Sequence, residues 1–298
     1  GTPAGTPPPG PVDSIEGMLW VANPQPPVVS SCLYGVDAAA GTRTEDLYCI
    51  DLATVTDDYD TGYYFEIAQA RRELYAVEEY LDDDDNDTIW LAIRPLDDPV
   101  TPRAMIQLPF ITGTNAPGYV DVNRQFAMSP DGKYAYIAHI LSRYQMPTTQ
   151  LERGWMNTNA LSIIDLAAKK LHNTVLLDDV DLGAANPWGV TTTADGATIC
   201  VAQAGTQELS VIDSKGLFDK LSRIPADEET ARKAGRYDPT GNYSSPTTAD
   251  VPNDLAFLVD LRERIKLEGN GPRGVAVVGN KVYVTMYFTD NLSVVDLA

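Results

Sequence analysis

The chain has 298 residues, 42 of them acidic against 22 basic, and a formal net charge of −20. That field disfavours nucleic acid and anionic membrane surfaces, both of which need positive charge on the protein. A hydrophobic content of 44% is enough for a core, while no apolar run approaches the ~20 residues that span a bilayer, so membrane insertion is not expected.

Residues 1–15, opening GTPAGTPPPGPVDS, are rich in Gly, Pro and Thr and read as a flexible or extended tether. They carry neither the charged start nor the apolar run of a signal peptide. From residue 16 to residue 298 the chain reads as one repeat domain. GMLWVANP (17–24) and LYCIDLA (47–53) have strand character and are separated by an irregular loop. Cys32 and Cys49 flank LYGVDAAAGTRTEDLY, and a disulfide between them is one reading in an oxidising compartment. Residues 62–96 supply two further strands that meet at the acidic run LDDDDNDTIW (81–90). There Asp82, Asp84 and Asn86 alternate as the oxygen donors at positions 1, 3 and 5 of a calcium loop do, which makes calcium the candidate ion. Asp87 and Ile93 stand where such a loop has Gly and Glu, and a solvated acidic turn is the competing reading.

The next segments repeat one another. FAMSPDGKYAYIAHI (126–140), WGVTTTADGATICVAQ (188–203) and RGVAVVGNKVYVTMY (273–287) each place a tight-turn pair, Asp131-Gly132, Asp195-Gly196 or Gly279-Asn280, between two runs rich in Val, Ile, Tyr and Thr. That is strand, turn, strand. Each is followed by a tag: LSIID (161–165), LSVID (209–213) and LSVVD (292–296). From turn to tag the last two units share one length, about 16 to 18 residues. The tag is a third strand, and HNTVLLD (172–178) and RIKLEGN (264–270) supply a fourth. Antiparallel four-stranded sheets that recur in this way are blades of an all-β propeller, whose apolar faces are buried by stacking on their neighbours. A β-sandwich of unrelated hairpins is the alternative, disfavoured because sandwiches seldom repeat in sequence. Five repeats are visible, a seven-bladed ring would need more, and the chain stops on a third strand.

Two insertions interrupt the pattern. LSRYQMPTTQLERGWMNT (141–158) separates the second and third strands of one unit. The other, around 214–263, is expected to be helical, with Leu255, Leu258, Val259 and Leu261 at helical spacing after Pro252-Asn253-Asp254. Long loops on a rigid scaffold are where binding concentrates. Ligand or partner candidates are therefore His139, Arg143, Trp155, Asn157 and Asn159. The two histidines, His139 and His172, are distant in sequence, and their competing reading is a strand-end or surface position. For Trp155, Asn157 and Asn159 the structural reading, with asparagine side chains tying down a loop backbone, is favoured over ligand contact. Cys200 reads as a small core residue. No Cys-x-x-Cys-His, Gly-x-Ser-x-Gly or His-Glu-x-x-His occurs, so no catalytic residue is assigned.

SPDGKYAYIA, LSVID and VYVTMY…NLSVVDLA resemble the YVTN-type propeller repeat of exported and surface-layer proteins. PTTQLERGWMNTNALSIIDL (147–166) and NDLAFLVDLRERIKLEGNGPRGVAV (253–277) are similar to the propeller portion of large exported proteins in which such repeats precede c-type haem modules. The resemblance covers about residues 117–298. It implies an exported propeller, periplasmic or at the cell surface, that binds a protein partner or further copies of itself, with a cytochrome c module among the candidate partners. Together with the absence of a catalytic constellation, this favours a non-catalytic binding or assembly module. The alternative is a propeller enzyme, an oxidoreductase subunit or lactonase-like hydrolase, with a metal at its central channel.

Overall fold

The computed structural model describes residues 18–23, 31–37, 42–50, 64–68, 73–81, 87–95, 101–108, 119–142, 157–236 and 245–298. They fall into two compact units, Gly1–Ile106 and Gln107–Ala298.

In the first unit β1 (Met18–Asn23), β2 (Ser31–Asp37) and β3 (Thr42–Ile50) form an antiparallel sheet in that order. The segment read as an irregular loop therefore contains a strand. Gly35 lowers the strand propensity of SCLYGVD, and the register of β2 against β3 shifts between Tyr34 and Val36, around that glycine. Pairing on both sides overrides the local weakness. A second sheet has the order β4 (Tyr64–Ala68), β5 (Glu73–Leu81), β6 (Asp87–Pro95) and β7 (Ala104–Gln107). Its hairpin closes with Leu81 opposite Asp87, on either side of the acidic run.

In the second unit β8 (Tyr119–Met128), β9 (Tyr134–Ser142), β10 (Asn157–Asp165) and β11 (Lys170–Leu176) make one antiparallel sheet. The next contains β12 (Pro187–Thr192), β13 (Thr198–Gln203), β14 (Glu208–Asp213) and β15 (Arg262–Lys266). A third contains β16 (Pro272–Val278), β17 (Lys281–Met286) and β18 (Asn291–Asp296). The three tags are β10, β14 and β18, the third strand each time.

The repeat is reproduced atom for atom at its two Asp-Gly turns. Asp131 Oδ1 accepts from Ser129 Oγ and Lys133 N, and Ser129 Oγ accepts from Tyr134 N. Asp195 Oδ1, Thr193 Oγ1, Ala197 N and Thr198 N repeat that set. Gly132 and Gly196 follow with φ of 66° and 71°, a region that glycine enters without steric cost. Each tag aspartate then ends its strand by accepting a backbone N–H beyond it: Ala167 and Ala168 for Asp165, Gly216 for Asp213, Ala298 for Asp296. At Asp213 the same device becomes the N-cap of helix α1 (Ser214–Leu221), which starts the second insertion.

The tag serine has an equally regular partner. The ladders place His139, Gln203 and Met286 at equivalent positions of the second strands, since Tyr134, Thr198 and Lys281 lie opposite Asp165, Asp213 and Asp296. Ser162 bonds His139, Ser210 bonds Gln203, and Ser293, facing a methionine that offers no such partner, donates to Glu268 O instead.

The central strands of the sheets β8–β11 and β12–β15 are buried on both faces, so they read as continuous apolar runs. Ile199 and Val201 of β13 join Leu161, Ile163 and Val175 in one core, while Cys200 and Ala202 join Leu209, Val282 and Val284 in the next. Cys200 is thus a core residue, with its thiol pushed up to about 12 by burial. The second insertion seals the first core with Leu217, Leu221, Val251, Phe257 and Leu258, each such burial contributing about 1.5–3 kcal/mol. It is helical at α1 and at α2 (Glu228–Lys233), where Asp227 caps Thr230 N. The stretch 255–261 is not helical. A 3-10 helix, Val251–Asn253, gives way to successive turns, because the Asp254 carboxylate takes the N–H of Ala256 and Asp260 sits at φ 64°.

Candidate functional site

At one end of the second unit, the loops that lead from a fourth strand to the next inner strand meet the loops that join second and third strands. Residues 177–186 lie against 204–205 through Ala204 N to Asn186 O and Gly205 N to Ala185 O. Residues 270–271 lie against 287–288 through Tyr287 N to Gly271 O and Phe288 N to Asn270 O.

The loop 177–186 is held from beneath and from the side. Asp178, 1% exposed, accepts from Asn159 N, Asn159 Nδ2 and Ala184 N at 2.6, 2.8 and 2.7 Å. Asn159 Oδ1 in turn accepts from Asn186 N at 2.8 Å. From β15, Arg262 donates to Leu177 O and Asp179, while Arg264 donates to Asp179, Leu182 O, Gly183 O and Glu208. The loop so fixed holds Val180 and Leu182 in solvent, 67% and 51% exposed.

Burial outweighs the three N–H donors and pushes the Asp178 carboxyl up from its ordinary value. The native state then holds a proton more readily than the unfolded chain, so this group's contribution to stability falls as pH rises through the carboxylate range. Asp178→Ala leaves three donors without an acceptor and is expected to cost about 3 kcal/mol. In urea titrations the gap to wild type should be widest at acid pH and narrow as pH rises. A gap below 1 kcal/mol, on the ~1 kcal/mol scale of a single bond, would contradict the assignment.

The second feature arises from the repeat itself. Trp188-Gly189-Val190 and Arg273-Gly274-Val275 occupy matching positions on the inner strands β12 and β16, whose registers both shift there. A Cβ at Gly189 would lie 2.4 Å from Arg273 O, so the glycine is what lets the strands approach. The Arg273 guanidinium consequently lies 3.6 Å from the Trp188 ring centroid, with Tyr287 and Phe288 at 5.5 and 5.8 Å. Tyr287 and Phe288 pack edge to face at 5.1 Å and are 66% and 67% exposed. A cation amid three rings fixes an aromatic pair that remains in solvent.

The residues singled out from sequence are distributed differently. His139 is fully buried within β9, its Nδ1 3.1 Å from Ile140 O and its Nε2 2.8 Å from Ser162 Oγ, which lies 2.8 Å from Thr174 Oγ1. It lies within the strand and is buried, so the strand-end or surface reading does not apply to it. His172 is exposed on β11, its ring 5.7 Å from Tyr134 and 5.6 Å from Phe218, in a separate cluster. Asn157 is exposed at the start of β10 and Asn159 ties down the loop 177–186. Arg143, Trp155 and the calcium candidates Asp82, Asp84 and Asn86 lie outside the described residues. For Cys32 and Cys49 the backbone on β2 and β3 is described and their side chains are not. Among the described residues no three His, Cys, Asp or Glu side chains gather as metal ligands. Asp178, Trp188, Arg273, Tyr287 and Phe288 were not singled out from sequence; the available signal was the residue preceding each repeated Gly-Val.

No family model matches the chain. A curated protein, hydrazine synthase subunit beta of Kuenenia stuttgartiensis, is 24% identical over 177 residues, 59% of this chain and 41% of that protein. The solved Kuenenia stuttgartiensis hydrazine synthase superposes at a TM-score of 0.66 and 18% identity, covering 90% of this chain and 65% of that one. The chain has a β-propeller fold. A further solved structure, described as a 6-phosphogluconolactonase from Bacteroides uniformis, superposes at a TM-score of 0.48 and 11% identity over 95% of this chain and 64% of that one. This propeller thus spans less than two thirds of the length of the relatives it matches.

Proposed function

We propose that this propeller is an assembly module of a multi-subunit enzyme and docks on a partner protein through the loop end of its second unit. The observation that carries the reading is the exposed Tyr287–Phe288 pair, braced by Arg273 on Trp188. Rigid aromatic anchors of this composition dominate protein interfaces, because they bury much area and lose little conformational freedom on binding. Val180 and Leu182, on a loop clamped by two arginines, add a second apolar contact. The net charge of −20 steers the module toward a partner with a basic rim. A relative named as a subunit supports the same reading. Export, and a c-type cytochrome among the partners, belong to this proposal and rest on the likeness of 147–166 and 253–277 to exported propellers that precede haem modules. A catalytic propeller is the second reading, favoured by the relative's being named for a synthase.

The test is isolation of the chain from its native cells by size exclusion with light scattering, followed by affinity measurement on the reconstituted complex. Wild type is expected to run with a partner polypeptide at fixed stoichiometry. Tyr287→Ser with Phe288→Ser should weaken that complex at least about tenfold while lowering the unfolding midpoint only slightly, since both rings are about two-thirds exposed. A chain that runs at its own mass and turns over a substrate alone would favour the catalytic reading. An unaltered affinity in the double variant would remove this face from the proposal.

A further inference from the structure

Cys32 lies on β2 and Cys49 on β3, and the antiparallel ladder makes them register partners, between the pairs Ser31–Ile50 and Leu33–Tyr48. Directly opposed residues of an antiparallel pair share one face of the sheet. Their Cα atoms are about 4.5 Å apart in a non-hydrogen-bonded pair and about 5.5 Å in a hydrogen-bonded one. Both separations fall within the ~4.4–6.8 Å that a disulfide spans. The register shift of this ladder, between Tyr34 and Val36, falls beyond the pair.

The third cysteine does not compete. Cys200 has no exposed surface and sits in the core between two sheets of the other unit, among Ala202, Leu209, Val282 and Val284. Of three cysteines, the fold thus sequesters one and makes the other two register partners in the ladder.

We propose that Cys32 and Cys49 form a disulfide that fixes the register of β2 on β3. The two thiols give up two protons and two electrons to a disulfide oxidant, one S–S bond forms in the protein, and the oxidant leaves as two thiols. A one-residue slip of this ladder would turn every side chain of the strand to the other face. The crosslink forbids that slip in a sheet that has three strands among the described residues. A structural disulfide persists in oxidising compartments and not in a reducing cytosol, so the pair also deepens the reading of this chain as exported.

The full chain is reduced, equilibrated with a mixture of oxidised and reduced glutathione, alkylated in denaturant and digested with trypsin. Arg43 lies between the two cysteines and Arg71 beyond them. The expected product is the peptide of residues 1–43 joined to that of residues 44–71, two hydrogens lighter than their sum, with Cys200 alkylated. In Cys32→Ser the joined species should vanish and Cys49 should appear as a glutathione adduct or alkylated. Alkylated or separately glutathionylated Cys32 and Cys49 in wild type would overturn the proposal, as would a linkage to Cys200. The outcome does not depend on any partner, so it stands or falls apart from the docking reading.

Discussion

His139→Gln is expected to leave the fold intact and to remove about 3 kcal/mol of acid destabilisation from this protein. The imidazole is fully buried, and desolvation lowers its pKa from 6.5 to about 4, with the Ile140 carbonyl opposing that shift in part. Nδ1–H donates to that carbonyl, and in the neutral ring Nε2 then accepts from Ser162 Oγ, which is also hydrogen-bonded to Thr174 Oγ1. Burial, with no charged partner among the causes, is what disfavours the protonated ring. Between pH 6.5 and 4 the unfolded state binds a proton that the folded state refuses. Stability therefore falls as pH drops through that window and levels off below it. Glutamine at 139 is not an arbitrary choice. The next blade already has Gln203 at the equivalent position, with Nε2 donating to Ser210 Oγ at 3.4 Å. At pH 8 the substitution should cost less than about 1.5 kcal/mol. Guanidinium unfolding from pH 8 to pH 4 checks the claim by subtraction, which cancels the carboxylates common to both proteins. Parallel curves for wild type and variant would show that His139 carries no acid penalty.

Gly189→Ala is expected to destabilise the protein by about 3 kcal/mol and Gly274→Ala by about 1 kcal/mol or less. The two glycines occupy the same place in the repeat, so sequence alone treats them alike. At Gly189 the added methyl would meet Arg273 O at 2.4 Å, Val275 Cγ1 at 2.8 Å and Val275 N at 3.0 Å. Two of those atoms are the backbone of β16, which cannot step aside without moving the next sheet. At Gly274 the nearest atom is Thr285 Oγ1 at 3.1 Å, a side chain that can rotate. Urea midpoints with unchanged m-values would measure both effects. Since Gly189 also sets the stacking of Arg273 on Trp188, its substitution should weaken partner binding along with stability, while Gly274→Ala should leave binding near wild type. Equal losses at the two sites would refute the close-approach account.

The blades were legible in the sequence wherever local chemistry specifies them. Asp-Gly turns, β-branched runs and the recurring tag located β9, β10, β13, β14, β17 and β18 because each device acts within a few residues of itself. Where local signal was weak the reading failed. β2 contains a glycine and is made a strand by its two neighbours, and the leucine spacing at 255–261 mimics a helix that the Asp254 carboxylate and the left-handed Asp260 break into turns. Of the candidate site, Asn159 was found as a loop tie. The burial of His139 was not legible, because it depends on the strands packed around it.

The sequence by itself determined that this protein is an all-β propeller and where its units repeat, since turn formation and strand alternation are local properties of the chain. Only the tertiary structure decided that Asp178 lies under Asn159, and that Trp188 receives Arg273 while Tyr287 and Phe288 stay in solvent. The first contact joins a loop to the strand beside it, and the second joins residues of different sheets, its geometry set by how closely two inner strands pack.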